Sequence, residues 1–426
     1  MEQPVLLHEP AVRRRSVAAG SIGNLVEWFD WSVYGFFAPY FAASFFPQTD
    51  RIAQLLSVFA VFAVGFFVRP LGGAVLGSYA DRHGRRAGMT LTILMMAAAS
   101  LIMALTPTFA TIGVAAPILL VIGRSLQGFS AGGEFGTSSA FLVENAAPGR
   151  RASTGMWQQV SVGAGTLLAS LLASVMFAVL SPEALSSWGW RMAFLIGAAL
   201  GLVGLYMRAR VPDTAISTHV RATGQVPRRP LVAVFRSHPR AALLVIALVA
   251  AGTGLVQFWF VYLPTLAMLR TGAALKTGQV AAAIGLAVFT VLLPLFGWMS
   301  DRFGRRPMLL TFALGSAVTV VPLVLNLRPT LLSLALTASV AGVFLSSYAA
   351  SLAAVMAEQF PPEVRTAGIS LPYGVAVAIF GGLSPLVSTA LIRAERFEFF
   401  LAGVVVLCLA SAVVYWKMPE TKDLPL

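Results

Sequence analysis

Twelve stretches of this chain are apolar for about 20 residues or more, long enough for an α-helix to cross the hydrocarbon core of a bilayer. They run roughly over 17–46, 53–80, 88–106, 113–145, 152–181, 189–208, 240–268, 278–299, 308–326, 330–358, 367–392 and 397–418. In lipid the backbone must satisfy its own hydrogen bonds, so each stretch is expected to be a helix. With 426 residues, 58% hydrophobic and 11% charged, the composition lies far from that of a soluble domain. The fold class expected is an all-α integral membrane protein.

The basic residues set its orientation. Arg13, Arg14, Arg15, Arg82, Arg85, Arg86, Arg150, Arg151, the arginines between Arg208 and Arg240, Arg302, Arg305, Arg306, Arg365, Lys417 and Lys422 fall on one side if both termini are cytoplasmic. Arg51, Arg191, Arg270, Lys276, Arg328, Arg393 and Arg396 fall on the other. The positive-inside rule therefore places both termini in the cytoplasm. The net charge of +13 is then topology plus affinity for anionic lipid headgroups, and nucleic acid is excluded as its explanation. The first apolar run resembles a secretory signal, but its length, its two carboxylates and the eleven spans after it argue against cleavage. A single Cys408 excludes a disulfide framework and a cysteine metal site. His8, His83, His219 and His238 all lie in cytoplasmic segments, so no histidine relay crosses the membrane.

The chain is internally duplicated. Gly77-Ser-Tyr-Ala-Asp81-Arg82-His-Gly84-Arg85-Arg86 follows the second span, and Gly297-Trp-Met-Ser-Asp301-Arg302-Phe-Gly304-Arg305-Arg306 follows the eighth. Glu144, Pro148 and Arg151 follow the fourth span with the spacing that Glu358, Pro362 and Arg365 show after the tenth. Two motifs in register at equivalent loops mark a repeat. Residues 1–208 are expected to form one six-helix bundle and 239–426 the other, joined by the polar linker 209–238.

The repeated loops resemble those of the major facilitator superfamily, over essentially the whole chain. Gly23-Asn24-Leu-Val-Glu27-Trp28-Phe29-Asp30, Arg69-Pro70-Leu-Gly72-Gly73, Arg124-x-x-Gln127-Gly128-Phe129-Ser130-x-Gly132-Gly133-Glu134, Trp188-Gly189-Trp190-Arg191 and Ile379-Phe380-Gly381-Gly382 further resemble its metabolite:proton symporter family. That family includes alpha-ketoglutarate permeases, citrate:proton symporters, shikimate transporters and proline/betaine transporters. The resemblance implies two pseudo-symmetric bundles that rock about a midplane site. It also implies a cytoplasmic gate in which Asp81 joins Arg85 and Arg151, and Asp301 joins Arg305 and Arg365. Arg82, Arg86, Glu144, Arg302, Arg306 and Glu358 are its remaining candidates.

Charge inside the spans belongs to the first half. A carboxylate near the bilayer centre costs about 2.5 to 3.5 kcal/mol even on the lenient insertion scale, and persists where it faces a cavity or a partner. Glu27 and Asp30 are one turn apart on a helix face shared with Asn24 and Tyr34. Counting along the spans puts Asp30 and Arg124 near the midplane, with Glu27, Arg69 and Glu134 a turn closer to the cytoplasm. Arg124 and Glu134 are ~15 Å apart along one helix and cannot grip the same substrate group. An Asp30–Arg124 pair can be a static neutralisation or a working device. An opposing charge favours the carboxylate and low dielectric favours the acid, so Asp30 can exchange a proton and free Arg124 for a substrate anion. Glu27, Arg69 and Glu134 form either a structural cluster or part of the coupling path. Candidate proton-coupling residues are therefore Asp30, Glu27 and Glu134. Candidate substrate contacts are Arg124, Arg69, Asn24, Tyr34, Gln127 and Gln158, with Tyr262, Tyr348 and Tyr373 from the second half.

Gly128-Phe-Ser130-Ala-Gly132 matches the nucleophile-elbow string of hydrolases, but it lies mid-span with no membrane histidine, and an enzyme is excluded. The expected function is proton-coupled symport of a small di- or tricarboxylate by a monomer in a bacterial inner membrane. The proton is the coupling ion and no cofactor is required. An exporter or exchanger of organic acids or drugs, an importer of a zwitterion such as proline or betaine, and a non-transporting sensor are the other readings.

Overall fold

The computed structural model describes residues 10–47 and 51–424. His8 and the side chains of Arg13, Arg14, Arg15, Arg51 and Arg393 lie outside the described residues. Long helices follow one another along the chain: α1 (Pro10–Phe45), α2 (Arg51–His83), α3 (Arg85–Leu105), α4 (Ala115–Glu144), α5 (Arg151–Val179) and α6 (Pro182–Ala209). After the linker come α7 (Pro239–Thr271), α8 (Leu275–Phe303), α9 (Arg305–Leu325), α10 (Leu331–Glu358), α11 (Arg365–Ile392) and α12 (Phe397–Lys417). Ten of these are long and apolar enough to cross a membrane. The other two, α1 and α4, hold Glu27, Asp30, Arg124 and Glu134 among glycine and serine positions.

Most helices overrun the apolar runs by several residues, because their ends continue into polar flanks such as Ser300-Asp301-Arg302. The linker is partly folded, into short amphipathic helices at Ala215–Ala222 and Pro230–Ser237. A wide, π-type turn interrupts α7 at Gln257–Tyr262 and α11 at Val377–Gly381, where the extra residue re-aims the side chains that follow.

Glycine explains two features of the packing. The turns between α2 and α3 and between α8 and α9 each rest on a glycine of positive φ, +104° at Gly84 and +105° at Gly304. Only a residue without Cβ adopts that backbone freely, so both repeated loops need Gly there. On α4, a Cβ at Gly128 or Gly132 would stand 2.1 and 2.0 Å from the carbonyl oxygens of Gly65 and Arg69. The backbones of α2 and α4 thus touch, in the small-residue packing typical of membrane helices, and Arg69 and Arg124 are brought into one layer.

Candidate functional site

The site lies where α1, α2, α3 and α4 meet. Arg124 is fully buried, and its guanidinium carbon lies 3.9 Å from the Trp31 ring centroid, 4.4 Å from Tyr34 and 4.6 Å from Phe62. Arg69, buried beside Pro70, stands 4.2 Å from the same Trp31 centroid, 5.0 Å from Phe66 and 5.6 Å from Trp28. Proline inside α2 removes one backbone donor and bends the helix at the residue that presents this cation. Neither guanidinium has a salt bridge among the described residues. Nε and Nη2 of both arginines have no hydrogen-bond partner. The aromatic faces supply the cations with partial compensation, and their N–H groups remain open to an anion.

Asp30 does not pair with Arg124. Its Oδ2 accepts a hydrogen bond from Ser100 Oγ on α3 at 2.5 Å, and its Oδ1 has no partner. The carboxylate fits against Gly197 of α6, where a Cβ would sit 1.7 Å from Oδ1. The expected ion pair is replaced by a chain. Arg124 Nη1 donates to Gln127 Oε1 at 2.6 Å, Gln127 Nε2 donates to Ser100 Oγ at 3.2 Å, and Ser100 donates to Asp30. Asp30 points into its own bundle, where α6 offers a glycine-sized recess and α3 a hydroxyl.

Glu134 departs from expectation as well. Among the described residues no salt bridge joins Arg69 to Glu27 or Glu134, although Glu27 lies within electrostatic reach of Glu134, Arg69 and Arg208: both Glu134 oxygens are taken by Arg208 of α6, with Nη1 to Oε2 at 2.9 Å and Nη2 to Oε1, and Thr92 Oγ1 adds a bond of 2.5 Å to Oε2. Arg208 also donates to the carbonyls of Met89 and Gly20, so it fastens α6 to α3, α4 and α1. Sequence reading assigned Arg208 to the cytoplasmic basic cluster, since it closes the last turn of an apolar span. Its cue was Gly23, where any Cβ would collide with the Arg208 guanidinium. Glu27 is buried, Oε2 has no partner, and no salt bridge joins it to Arg69 among the described residues.

The remaining candidates divide. Tyr34 and Gln127 belong to the Arg124 site, and the Tyr34 hydroxyl is spent on the Val58 carbonyl at 3.0 Å. Asn24 and Gln158 satisfy one another: Asn24 Nδ2 donates to the Gln158 carbonyl at 2.8 Å and to Ser161 Oγ at 2.8 Å, and Gln158 Nε2 donates to Asn24 Oδ1 at 3.0 Å. With Ser138 donating to Gln158 Oε1 at 2.8 Å, this network ties α1, α4 and α5 together and commits both amides to helix packing. Tyr373 of α11 stacks flat on Phe135 of α4, with centroids 3.6 Å apart, and the neighbouring Gly374 abuts the Arg69–Pro70 backbone. Tyr348 packs on Phe312 at 4.8 Å with its hydroxyl unpartnered. Tyr262 instead accepts from Thr389 Oγ1 at 2.9 Å, linking the wide turn of α7 to the later part of α11.

At the linker end, two sets of contacts join the halves. Asp81 receives Arg85 Nη1 at 2.5 Å and the first amides of α11, Thr366 at 3.1 Å and Ala367 at 2.8 Å. Asp301 receives Arg305 Nη1 at 3.0 Å and the first amides of α5, Ala152 at 2.9 Å and Ser153 at 2.8 Å. Each carboxylate thus caps a helix of the opposite half. The expected long-range arginines are exchanged: Arg365 joins Glu144 at 2.9 Å and Arg151 joins Glu358 at 3.5 Å. Glu144 and Glu358 also bind Arg85 and Arg305, at 3.1 and 2.9 Å. Among the described residues Arg82, Arg86, Arg302 and Arg306 make no hydrogen bond or ion pair across the seam. Arg82 is exposed, Arg302 lies over Trp298 and Phe303, and Arg86 and Arg306 bind the carbonyls of Ala209 and Trp416 in their own halves.

The family model described as "Sugar (and other) transporter" matches residues 17–225, and the one described as "Major Facilitator Superfamily" matches 261–425. The alpha-ketoglutarate permease of Escherichia coli is 37% identical over 89% of this chain and 88% of its own length. A citrate-proton symporter of Salmonella typhi is 35% identical over 91% of this chain and 90% of its own. The proton:xylose symporter XylE superposes with a TM-score of 0.78 over 97% of both chains at 18% identity. The chain belongs to the major facilitator superfamily. Its fold is that of the superfamily, with two six-helix halves.

A third repeated element completes this major facilitator fold. Pro212-Asp213-Thr214 follows the first half and Pro419-Glu420-Thr421 the second. Asp213 accepts from the amides of Arg85 and Arg86 at 3.0 and 3.3 Å, and Glu420 from those of Arg305 and Arg306 at 2.9 and 3.1 Å. Thr214 and Thr421 donate to Glu144 and Glu358 at 2.5 and 2.6 Å. The Pro-acid-Thr repeat was visible in the sequence and went unread, because its two copies lie in the linker and the tail, where only polar spacer was expected.

Proposed function

We propose that this chain is a proton-coupled symporter of a small organic acid with two or three carboxylates, alpha-ketoglutarate or citrate in type. The reading is supported by one observation above the others. Two buried guanidiniums share one indole and hold Nε and Nη2 free, and neither is salt-bridged to an acid among the described residues, Asp30 being bound to Ser100 instead. A buried charge without a counter-ion is expensive, and a substrate with two carboxylates supplies two counter-ions at once. Arginine's planar fork suits carboxylate geometry. The faces of Trp31 and its neighbours are covered by guanidinium, which leaves no aromatic cage for a quaternary ammonium and argues against a betaine-like substrate.

In this reading the linker end and both termini face the cytoplasm, and the Asp81 and Asp301 contacts hold that side closed. The proton taken by Asp30 removes the negative charge that otherwise holds the polar chain to Arg124, and the arginine then accepts a substrate carboxylate. Bound anion and bound proton favour one another, so they cross together. The monomer suffices, since the site is built within one chain. The test is uptake of labelled alpha-ketoglutarate and citrate into proteoliposomes with and without an imposed pH gradient. Wild type accumulates acid when the gradient is imposed. Asp30→Asn should retain counterflow exchange and lose gradient-driven accumulation; accumulation at the wild-type level in that variant overturns the assignment.

A further inference from the structure

Asp30 and Arg124 are joined by two neutral side chains, and the sense of the hydrogen bonds is the same at every step. Arg124 Nη1 can only donate, so the Gln127 atom at 2.6 Å is its carbonyl oxygen. That fixes the amide orientation and aims Gln127 Nε2 at Ser100 Oγ, 3.2 Å away. Ser100 Oγ receives this bond and has one hydrogen left, which it gives to Asp30 Oδ2 at 2.5 Å. The chain runs from cation to anion with every donor pointing the same way. Each bond polarises the next, and the two charged ends reinforce the whole. Ser100, Gln127, Asp30 and Arg124 are all buried, and Ser100 is the only described side chain that donates to Asp30.

We infer that Ser100 and Gln127 are the positioning residues through which the proton on Asp30 is felt at the anion site. The inference rests on the symport reading and deepens it. With the proton on Oδ2, the oxygen that Ser100 binds, Asp30 becomes a donor toward Ser100. The serine hydrogen must then turn elsewhere, the directed chain is broken, and Gln127 loses the polarisation that strengthens its hold on Arg124. The freed Nη1 joins the already open Nε and Nη2 in receiving a substrate carboxylate. Binding the proton forms one O–H bond on the Asp30 carboxylate and neutralises it, its release reverses this, and no other covalent bond is made or broken. The groups around Asp30 are Ser100 of α3, the backbone at Gly197 of α6 and the buried carboxyl Glu27 one turn away on α1, with Arg124 and Gln127 of α4 behind the serine.

The experiment is the affinity of purified, reconstituted protein for alpha-ketoglutarate as a function of pH. Linkage makes the wild-type Kd pass from a tight plateau at low pH to a weak plateau at high pH, and the ratio of the plateaus measures the coupling. Ser100→Ala should shrink that ratio by about tenfold or more, the size expected for one hydrogen bond to a charged group, with the low-pH plateau little changed. Ser100→Cys, a weak donor of similar size, should fall between. Gln127→Met cuts the chain one link further on and should shrink the ratio equally, which keeps the test alive if the alanine variant folds poorly. A shifted midpoint with an unchanged ratio means that Ser100 solvates Asp30 and transmits nothing, and overturns the inference alone. A wild-type affinity without pH dependence overturns the symport reading and this inference with it.

Discussion

Gly136 lets the linker end close. A Cβ built on it would stand 2.0 Å from Ser370 Oγ and 2.9 Å from the Ser370 backbone nitrogen and Cβ. Ser370 belongs to α11, in the opposite half, and it also presses on α2, where a Cβ at Gly73 would meet its carbonyl oxygen at 2.7 Å. The clash of Gly136→Ala therefore exists only while the halves meet at this end. Overpacking a fitted contact costs ~1–3 kcal/mol, and a cost confined to one state shifts the two-state equilibrium by ~5- to 150-fold toward the other. The reporter is Ser139→Cys in a Cys408→Ser background. Ser139 lies one turn from Gly136 and is buried without a hydroxyl partner, and Cys408 is the chain's single thiol. Gly136→Ala should raise maleimide labelling of that cysteine and lower transport, and adding Ser370→Gly, which removes the nearest atoms, should restore both. Gly132→Ala is the contrast: its Cβ would strike the Arg69 carbonyl within the same half, so it should reduce stability without raising labelling. Wild-type labelling and transport in Gly136→Ala would refute the state-specific clash.

Asp81→Asn and Asp301→Asn should each raise labelling of the same cysteine and lower transport while membrane insertion stays intact, within the ~3–5 kcal/mol that loss of one partner of a buried pair can cost. The larger effect belongs to Asp81, whose pair with Arg85 is more deeply buried; equal labelling to wild type in both variants would leave the repeated loops with a topological role alone. Glu134→Gln strips Arg208 of its carboxylate and should lower thermal stability in detergent by ~3–5 kcal/mol while the pH dependence of substrate affinity survives. Loss of that pH dependence at normal stability would return Glu134 to the coupling path.

The elements that sequence made legible are those whose physics is local. An apolar run of sufficient length must be a helix in lipid, so the spans and their order could be read directly, as could the duplicated loops whose glycines permit a positive φ. Buried charge was legible as a fact, since Asp30, Arg69 and Arg124 stand out against their apolar neighbours, but its pairing was not. Arg208 closes the last turn of an apolar span and reads as a flanking cation; only the approach of α6 to Gly20 and Gly23 shows that it turns inward to Glu134. Ser100 was invisible for the opposite reason. A serine among methionines and alanines on α3 is ordinary membrane-helix composition, and nothing in its neighbours says that Asp30 lies across from it. The gate pairs were read one half out of place because a spacing repeated in both halves does not say which half supplies the partner.

The division of labour between the halves bears on how coupling works. Asp30, Ser100, Gln127 and Arg124 lie on α1, α3 and α4, all in the first half, so a rigid rocking of one half against the other leaves their hydrogen bonds intact. The contacts that rocking must break are those across the seam: Asp81 to α11, Asp301 to α5, Gly136 to Ser370, and the stack of Phe135 on Tyr373. Proton and anion binding can therefore be linked in either facing state by the same unbroken chain. In the proposed reading the linkage sets which combinations of ligands are stably bound, and the seam sets only which side they exchange with. A stacked ring pair joining α4 to α11 one turn from the Arg69 backbone gives the occupied site a route to the seam, because a ligand that draws Arg69 toward it also moves the surface on which Tyr373 and Gly374 rest.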